Sequence, residues 1–252
     1  SPTSRKENGG PDWEPPFALR ILRWALPAFE TRGLAACTLR PTDVEAAVLA
    51  SGGSDVEVSG PAYALATWLL GVRLAGVDWT ALRYREAGRG RGFAVGLGVG
   101  ALAAVLALLL GVAAGGARWL PDAGSAGDYA AQVLKTVGVL APAALAEEVV
   151  FRGVPLVLLA AAFGRVPAII VTAFVFAGMH LLNPAVSVLG ITNIAAAGVF
   201  LAVAFYAPGG IWTAFGAHLG WNAALAAADA PVSGLPFRIP LIDYAAGGPA
   251  WL

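Results

Sequence analysis

Cysteine, methionine and histidine are nearly missing from this chain of 252 residues, which holds one Cys, one Met and two His. A lone cysteine, Cys37, forms no intrachain disulfide and no cysteine-cluster metal site. It sits in a polar N-terminal stretch far from the other reactive candidates, which argues against a nucleophile. Charge is scarce as well. Charged residues are 13% of the chain, against about 25% in a soluble domain. Hydrophobic residues are 58%, and the mean hydropathy is +0.72. That shortage excludes an ordinary soluble surface and predicts an integral membrane protein. Basic and acidic groups balance at 16 each, which argues against a nucleic-acid partner. The chain opens on Ser1 rather than an initiator Met and so reads as processed or as a fragment. Its first 15 residues are polar, with no evident cleavable leader.

What is present is apolar sequence in long runs, with many of the 32 glycines inside them, a common trait of transmembrane helices. A helical span needs about 20 apolar residues. The segment 92–115 qualifies and opens on Gly92, Gly96 and Gly100, a small-xxx-small row that admits a close helix neighbour. Residues 130–162 read as one long helix, or as one broken near Gly153-Val154-Pro155. Three further spans follow at 166–182, 185–206 and 209–228, with turn signals at Asn183-Pro184 and Pro208-Gly209-Gly210. Upstream, 15–29 carries Arg20 and Arg23 and reads as an interfacial helix. The stretch 30–60 is soluble-like, and 61–77 is a marginal span containing Arg73. The expected organisation is an N-terminal extension over 1–60 and one membrane domain over 61–252, with its motif core at 92–228. The basic stretch 79–91, with Arg83, Arg85, Arg89 and Arg91, is expected in the cytoplasm. The loop 116–130 and the tail after 229 are then expected outside. Trp68, Trp79, Trp119 and Trp212 sit near span ends as interfacial anchors.

The few ionisable groups within the apolar runs are the chemical signal, because such groups at membrane depth are costly and usually functional. Glu148 and Arg152 are four residues apart on one helix and share a face, so they can pair. Glu147 points about 100° away and is left without an intrahelical cation, free to take up a proton or act as a base. His180 closes one span. His218 lies in another, with Asn222 one turn on along the same face, and the two can donate together to one oxyanion. The bland alternatives are a structural ion pair and satisfied interhelical hydrogen bonds. Both histidines beside buried carboxylates favour an active site.

Several hydrolase patterns are absent. There is no His-Glu-x-x-His, no Gly-x-Ser-x-Gly and no aspartate pair in the spans, and Ser187 has no neighbouring base. Two options remain: water activated by Glu147 and a histidine, or a metal held by His180, His218 and Glu147. Zinc would be the candidate metal, although a catalytic zinc normally takes three protein ligands and the histidines lack helical ligand spacing. A transporter would use buried charges as a proton relay, but the paired broken-helix repeats of that class are not visible. Thr192 and Asn193 are polar residues within a span, expected to bond between helices or to line a cavity.

The motifs Glu147-Glu148-Val149-Val150-Phe151-Arg152, Phe176-Ala177-Gly178-Met179-His180 and His218-Leu219-Gly220-Trp221-Asn222, in this order on successive helices, resemble the CPBP family. These are the type II CAAX prenyl endopeptidases and bacteriocin-processing proteins, also called Abi. The resemblance covers 92–228. It implies an all-α, polytopic transmembrane bundle with a buried polar catalytic cavity. It also implies an intramembrane endopeptidase acting on a membrane-embedded or lipidated peptide among membrane lipids. In that reading Glu147 and His180 activate water, His218 and Asn222 stabilise the oxyanion, and Glu148 and Arg152 hold the site. Members are often labelled metalloproteases; a metal-free glutamate mechanism fits the same residues. Relatives cut prenylated Cys-a-a-X tails or process peptides. The Ala/Gly/Arg-rich composition suggests a bacterial cytoplasmic membrane, which weakens the prenyl reading. The alternative is a catalytically silent immunity or scaffold protein of the same fold.

Overall fold

The computed structural model describes residues 77, 80–183 and 187–247. The expected extension over 1–60, the helix over 15–29 and nearly all of the marginal span 61–77 lie outside the described residues, as do Cys37, Trp68 and Trp79.

The described chain is mostly helical: α1 Arg89–Ala113, α2 Ala126–Arg152, α3 Val154–Phe163, α4 Arg165–Met179, a 3-10 turn His180–Leu182, α5 Val188–Tyr206 and α6 Ile211–Ala227. Two of these, α1 and α5, are long and apolar enough to cross a membrane. On α1, Leu102, Leu106, Leu109 and Leu110 are exposed. A soluble protein would bury such a row, so the helix faces apolar surroundings.

The helix ends follow from local chemistry. Helix α2 starts with a capping box in which Ser125 and Asp128 exchange bonds, satisfying two orphan N–H groups. It stops at Gly153, where an added Cβ would strike the Val149 carbonyl, and Pro155 opens α3. The break expected near Gly153 is therefore present. At the α5–α6 turn, Gly209 and Gly210 take φ of 96° and 61°, a region other residues enter at a cost.

Helix α6 is the hub, buried along most of its length and packed on α1, α2 and α5. Its seam with α1 is made by glycine. Any Cβ on Gly96 or Gly100 would collide with the backbone of Thr213 or Ala217, and any on Gly216 or Gly220 with that of Phe93 or Leu97. The small-residue row expected on this helix thus finds its partner in α6.

The segments read as spans at 166–182 and 209–228 form helices of 15 and 17 residues, shorter than the segments themselves. At one, the helix tightens into a 3-10 turn at His180; at the other, it begins only after the glycine turn. The loop 116–130 and the tail after 229 are also not helical or irregular throughout, as an all-α reading supposes. Strand β1 Ala117–Pro121 pairs antiparallel with β2 Ile242–Ala246, from Ala117 opposite Ala246 to Pro121 opposite Ile242. Buried Asp229 fixes the returning chain by accepting from the backbone N–H of Ile239 at 2.7 Å and of Tyr244 at 3.3 Å.

The molecule has two unlike ends. At one, Arg83 donates to the Phe205 carbonyl at 2.7 Å, Trp212 donates to the Tyr84 carbonyl at 2.8 Å, and Arg165 lies over the Tyr206 ring. At the other, the ribbon meets the end of α6, where Trp119 donates to the Ala228 carbonyl and Tyr129 to that of Ala227. Both described tryptophans expected as anchors, Trp119 and Trp212, sit at these ends.

Candidate active site

The buried row of α2 runs Thr136, Leu140, Ala144, Glu148, Arg152 at steps of four. This spacing draws Glu148 and Arg152 into the interior together. Glu148 is 0% and Arg152 1% exposed. Arg152 Nη1 donates to Glu148 Oε1 at 3.1 Å, and Nη2 donates to the Gly198 carbonyl of α5 at 3.1 Å. A buried ion pair persists only when further hydrogen bonds satisfy its remaining groups, and Gly198 supplies one. Its missing side chain also lets α5 lie against Ala173 of α4.

Glu148 has a second partner. His218 Nδ1 lies 2.8 Å from Glu148 Oε1, and since a carboxylate only accepts, Nδ1 carries the proton. In the neutral ring Nε2 then holds the lone pair. That nitrogen is 3.8 Å from Glu147 Oε2. Glu147 is the more accessible carboxylate, yet its Oε2 is buried without a hydrogen bond, as is Oε2 of Glu148. Unpartnered buried oxygens of this kind call for a solvent or substrate donor.

His180 caps α4, and its Nδ1 donates to the Phe176 carbonyl at 2.7 Å, again leaving Nε2 free. Phe176 joins the parts. Arg152 stacks on its ring at 4.5 Å, and the ring meets His180 edge-on at 4.7 Å and His218 at 6.1 Å. Phe151 closes the cluster at 5.1 Å. A cation over an aromatic face in an apolar setting contributes about 2 kcal/mol.

Beside this cluster lies a cavity of about 350 Å³ between α5 and α6, lined by His218, Asn222, Phe176 and Asn193 among others. This is the low end of ligand-pocket size, about 300–1,000 Å³. The six site residues expected from sequence are thus only partly united. Glu147, Glu148, Arg152 and His218 form one connected group, and Asn222 joins it through the cavity. His180 joins through Phe176; among the described residues it makes no hydrogen bond or ion pair with Glu147. Also among the described residues, no three His, Cys, Asp or Glu side chains gather as metal ligands. Sequence reasoning missed the Glu148–His218 bond, the part played by Phe176 and the Gly198 carbonyl. Phe176 was visible as a motif residue, but nothing in the sequence says which helix a carboxylate meets.

Helices with lipid-type surfaces around a carboxylate–histidine cluster define a membrane protein with a buried polar site. Residues 129–224 match the Rce1-like family, described as type II CAAX prenyl endopeptidase. No curated protein and no solved structure matches the chain. The matched segment agrees with the CPBP resemblance and contains all six candidate site residues. The family points to CAAX-type protease activity at a membrane.

Proposed function

We propose that the chain is a polytopic intramembrane endopeptidase that hydrolyses a peptide bond of a membrane-associated or lipidated peptide with water activated by Glu147. One observation carries this reading: Glu147 Oε2, buried and without a hydrogen bond, faces His218 Nε2 at 3.8 Å while Glu148 holds that ring from behind. One water can sit about 2.8 Å from both atoms at that separation. Glu147 accepts its proton as the oxygen attacks the scissile carbonyl. His218, proton-bearing at Nδ1, takes that proton from Glu147 at Nε2 and passes it to the leaving amine as the C–N bond breaks, which returns both side chains to their starting state. Asn222 lines the adjoining cavity and donates its amide hydrogens to the oxyanion.

The family resemblance pairs Glu147 with His180 instead. The 3.8 Å approach favours His218 for the proton and leaves His180 to brace the cluster through Phe176. A silent scaffold of this fold has no use for a carboxylate oxygen kept unpaired in the interior.

The test is cleavage of a farnesylated Cys-a-a-X reporter, and of a co-expressed membrane-peptide library, by the wild type and its variants. Glu147→Gln and His218→Ala should fall to background. Asn222→Ala should lose about 10²–10³ in turnover, the usual effect of one oxyanion donor. Near-normal turnover by Glu147→Gln would overturn the mechanism.

A further inference from the structure

Two primary amides face the same cavity from different helices. Asn222 belongs to the motif on α6. Asn193 lies on α5, next to Thr192, and the neighbours differ. Thr192 is satisfied within its own helix, donating to the Val188 carbonyl at 2.8 Å. Asn193 opens into the cavity and makes no hydrogen bond with any described residue. It sits in a helix long and apolar enough to span a membrane, where a polar group unsatisfied by protein or solvent costs several kcal/mol. Asn193 is exposed on the cavity side of α5, its amide open to whatever fills the cavity.

We propose that Asn193 is a substrate-binding residue whose amide pairs with one backbone peptide unit of an extended substrate segment lying between α5 and α6. The inference rests on the peptidase reading of the cavity. A primary amide offers an acceptor and two donors side by side, the complement of a peptide N–H and C=O. In a helix those groups are already bonded four residues along, so only an unwound segment meets Asn193. Apart from His218 and Ser233 the rest of the wall is largely apolar, with Ile194, Phe200, Leu201 and Leu225, and no Asp, Glu, Lys or Arg lines it. The segment that fits is therefore uncharged and apolar, recognised through its backbone rather than by a salt bridge.

The experiment uses the full chain carrying Glu147→Gln in lipid nanodiscs. The probe is a dansylated, farnesylated Cys-a-a-X peptide, tested unmodified and with each backbone amide N-methylated in turn. One N-methyl position should weaken binding about fivefold to tenfold, the worth of a single hydrogen bond. Asn193→Leu should weaken the unmodified peptide by the same factor, and combining the two should bring no further loss. Thr192→Leu should leave affinity unchanged. Unchanged binding by Asn193→Leu, strictly additive losses, or no binding of any probe would overturn the inference. Cleavage by protein with native Glu147 is measured alongside. Asn193-dependent binding without cleavage would retire the peptidase reading alone, whereas cleavage by Asn193→Leu at unchanged KM would retire the Asn193 subsite alone.

Discussion

Arg152 shows what a single side chain does here. It neutralises Glu148, ties α2 to α5 through the Gly198 carbonyl and stacks on Phe176. Removing one partner of a buried pair leaves an uncompensated charge and costs about 3–5 kcal/mol. Arg152→Ala should therefore lower the yield of folded protein and its melting temperature in detergent, as well as any activity. His218 still contacts Glu148 in that variant, so the loss should fall toward the lower bound. Arg152→Lys keeps the charge but not the planar fork that reaches two partners, and its melting temperature should lie between the two. Wild-type melting of Arg152→Ala would contradict the pairing.

Among the elements, the α1–α6 seam controls the site because α6 carries both His218 and Asn222. The two backbones approach so closely that a single methyl at Gly100 meets the Ala217 carbonyl, whereas Gly98, two residues away, has nothing within 4 Å. Overpacking of this kind costs about 1–3 kcal/mol. Gly100→Ala should melt earlier and lose activity, and Gly98→Ala should do neither; equal melting of the two would show that the seam does not constrain α6. The loop before α1 is clasped separately. Glu86 accepts from Arg83 at 2.7 Å, and that bond holds its carboxyl below the ordinary glutamate value of 4.5. A folded-state value lower than the unfolded one adds stability above the unfolded value and loses it as pH falls through the folded one. The melting difference between wild type and Glu86→Gln should thus be present at neutral pH and vanish in acid. A difference that grew in acid would reverse the assignment.

For the whole molecule, charge is divided between the ends. Arg83, Arg85, Arg89, Arg91 and Arg165, against Glu86, gather toward the α5–α6 turn, while the ribbon end carries Asp122, Asp128, Asp229 and Asp243 against Arg118 and Arg238. The loop-charge rule predicts the basic end on the cytoplasmic side. On a Cys37→Ser background, Ala87→Cys should be labelled by an impermeant thiol reagent only in inverted vesicles, and Gly124→Cys only in intact cells. The opposite pattern would invert the topology.

The share of this protein legible in its sequence is the share governed by local periodicity. The helical character, the break at Gly153, the turn at Gly209 and Gly210 and the Glu148–Arg152 pair all rest on residues within a few positions of one another. There the chain's own geometry decides: 3.6 residues per turn, a missing Cβ, a missing N–H. The membrane setting was legible for a different reason, since it depends on composition alone. The rest required the folded chain. His218 meets Glu148 across 70 residues, Gly198 receives Arg152 across 46, and β1 finds β2 across more than a hundred. Partnerships of that range depend on how α6 settles against α1 and α2. That arrangement comes from close packing summed over the whole seam, so no short stretch of sequence encodes it. The sequence by itself determined which ionisable groups fall within the apolar helices; only the tertiary structure decided which of them touch, and so turned Glu148 from a partner of Arg152 alone into the group that orients His218.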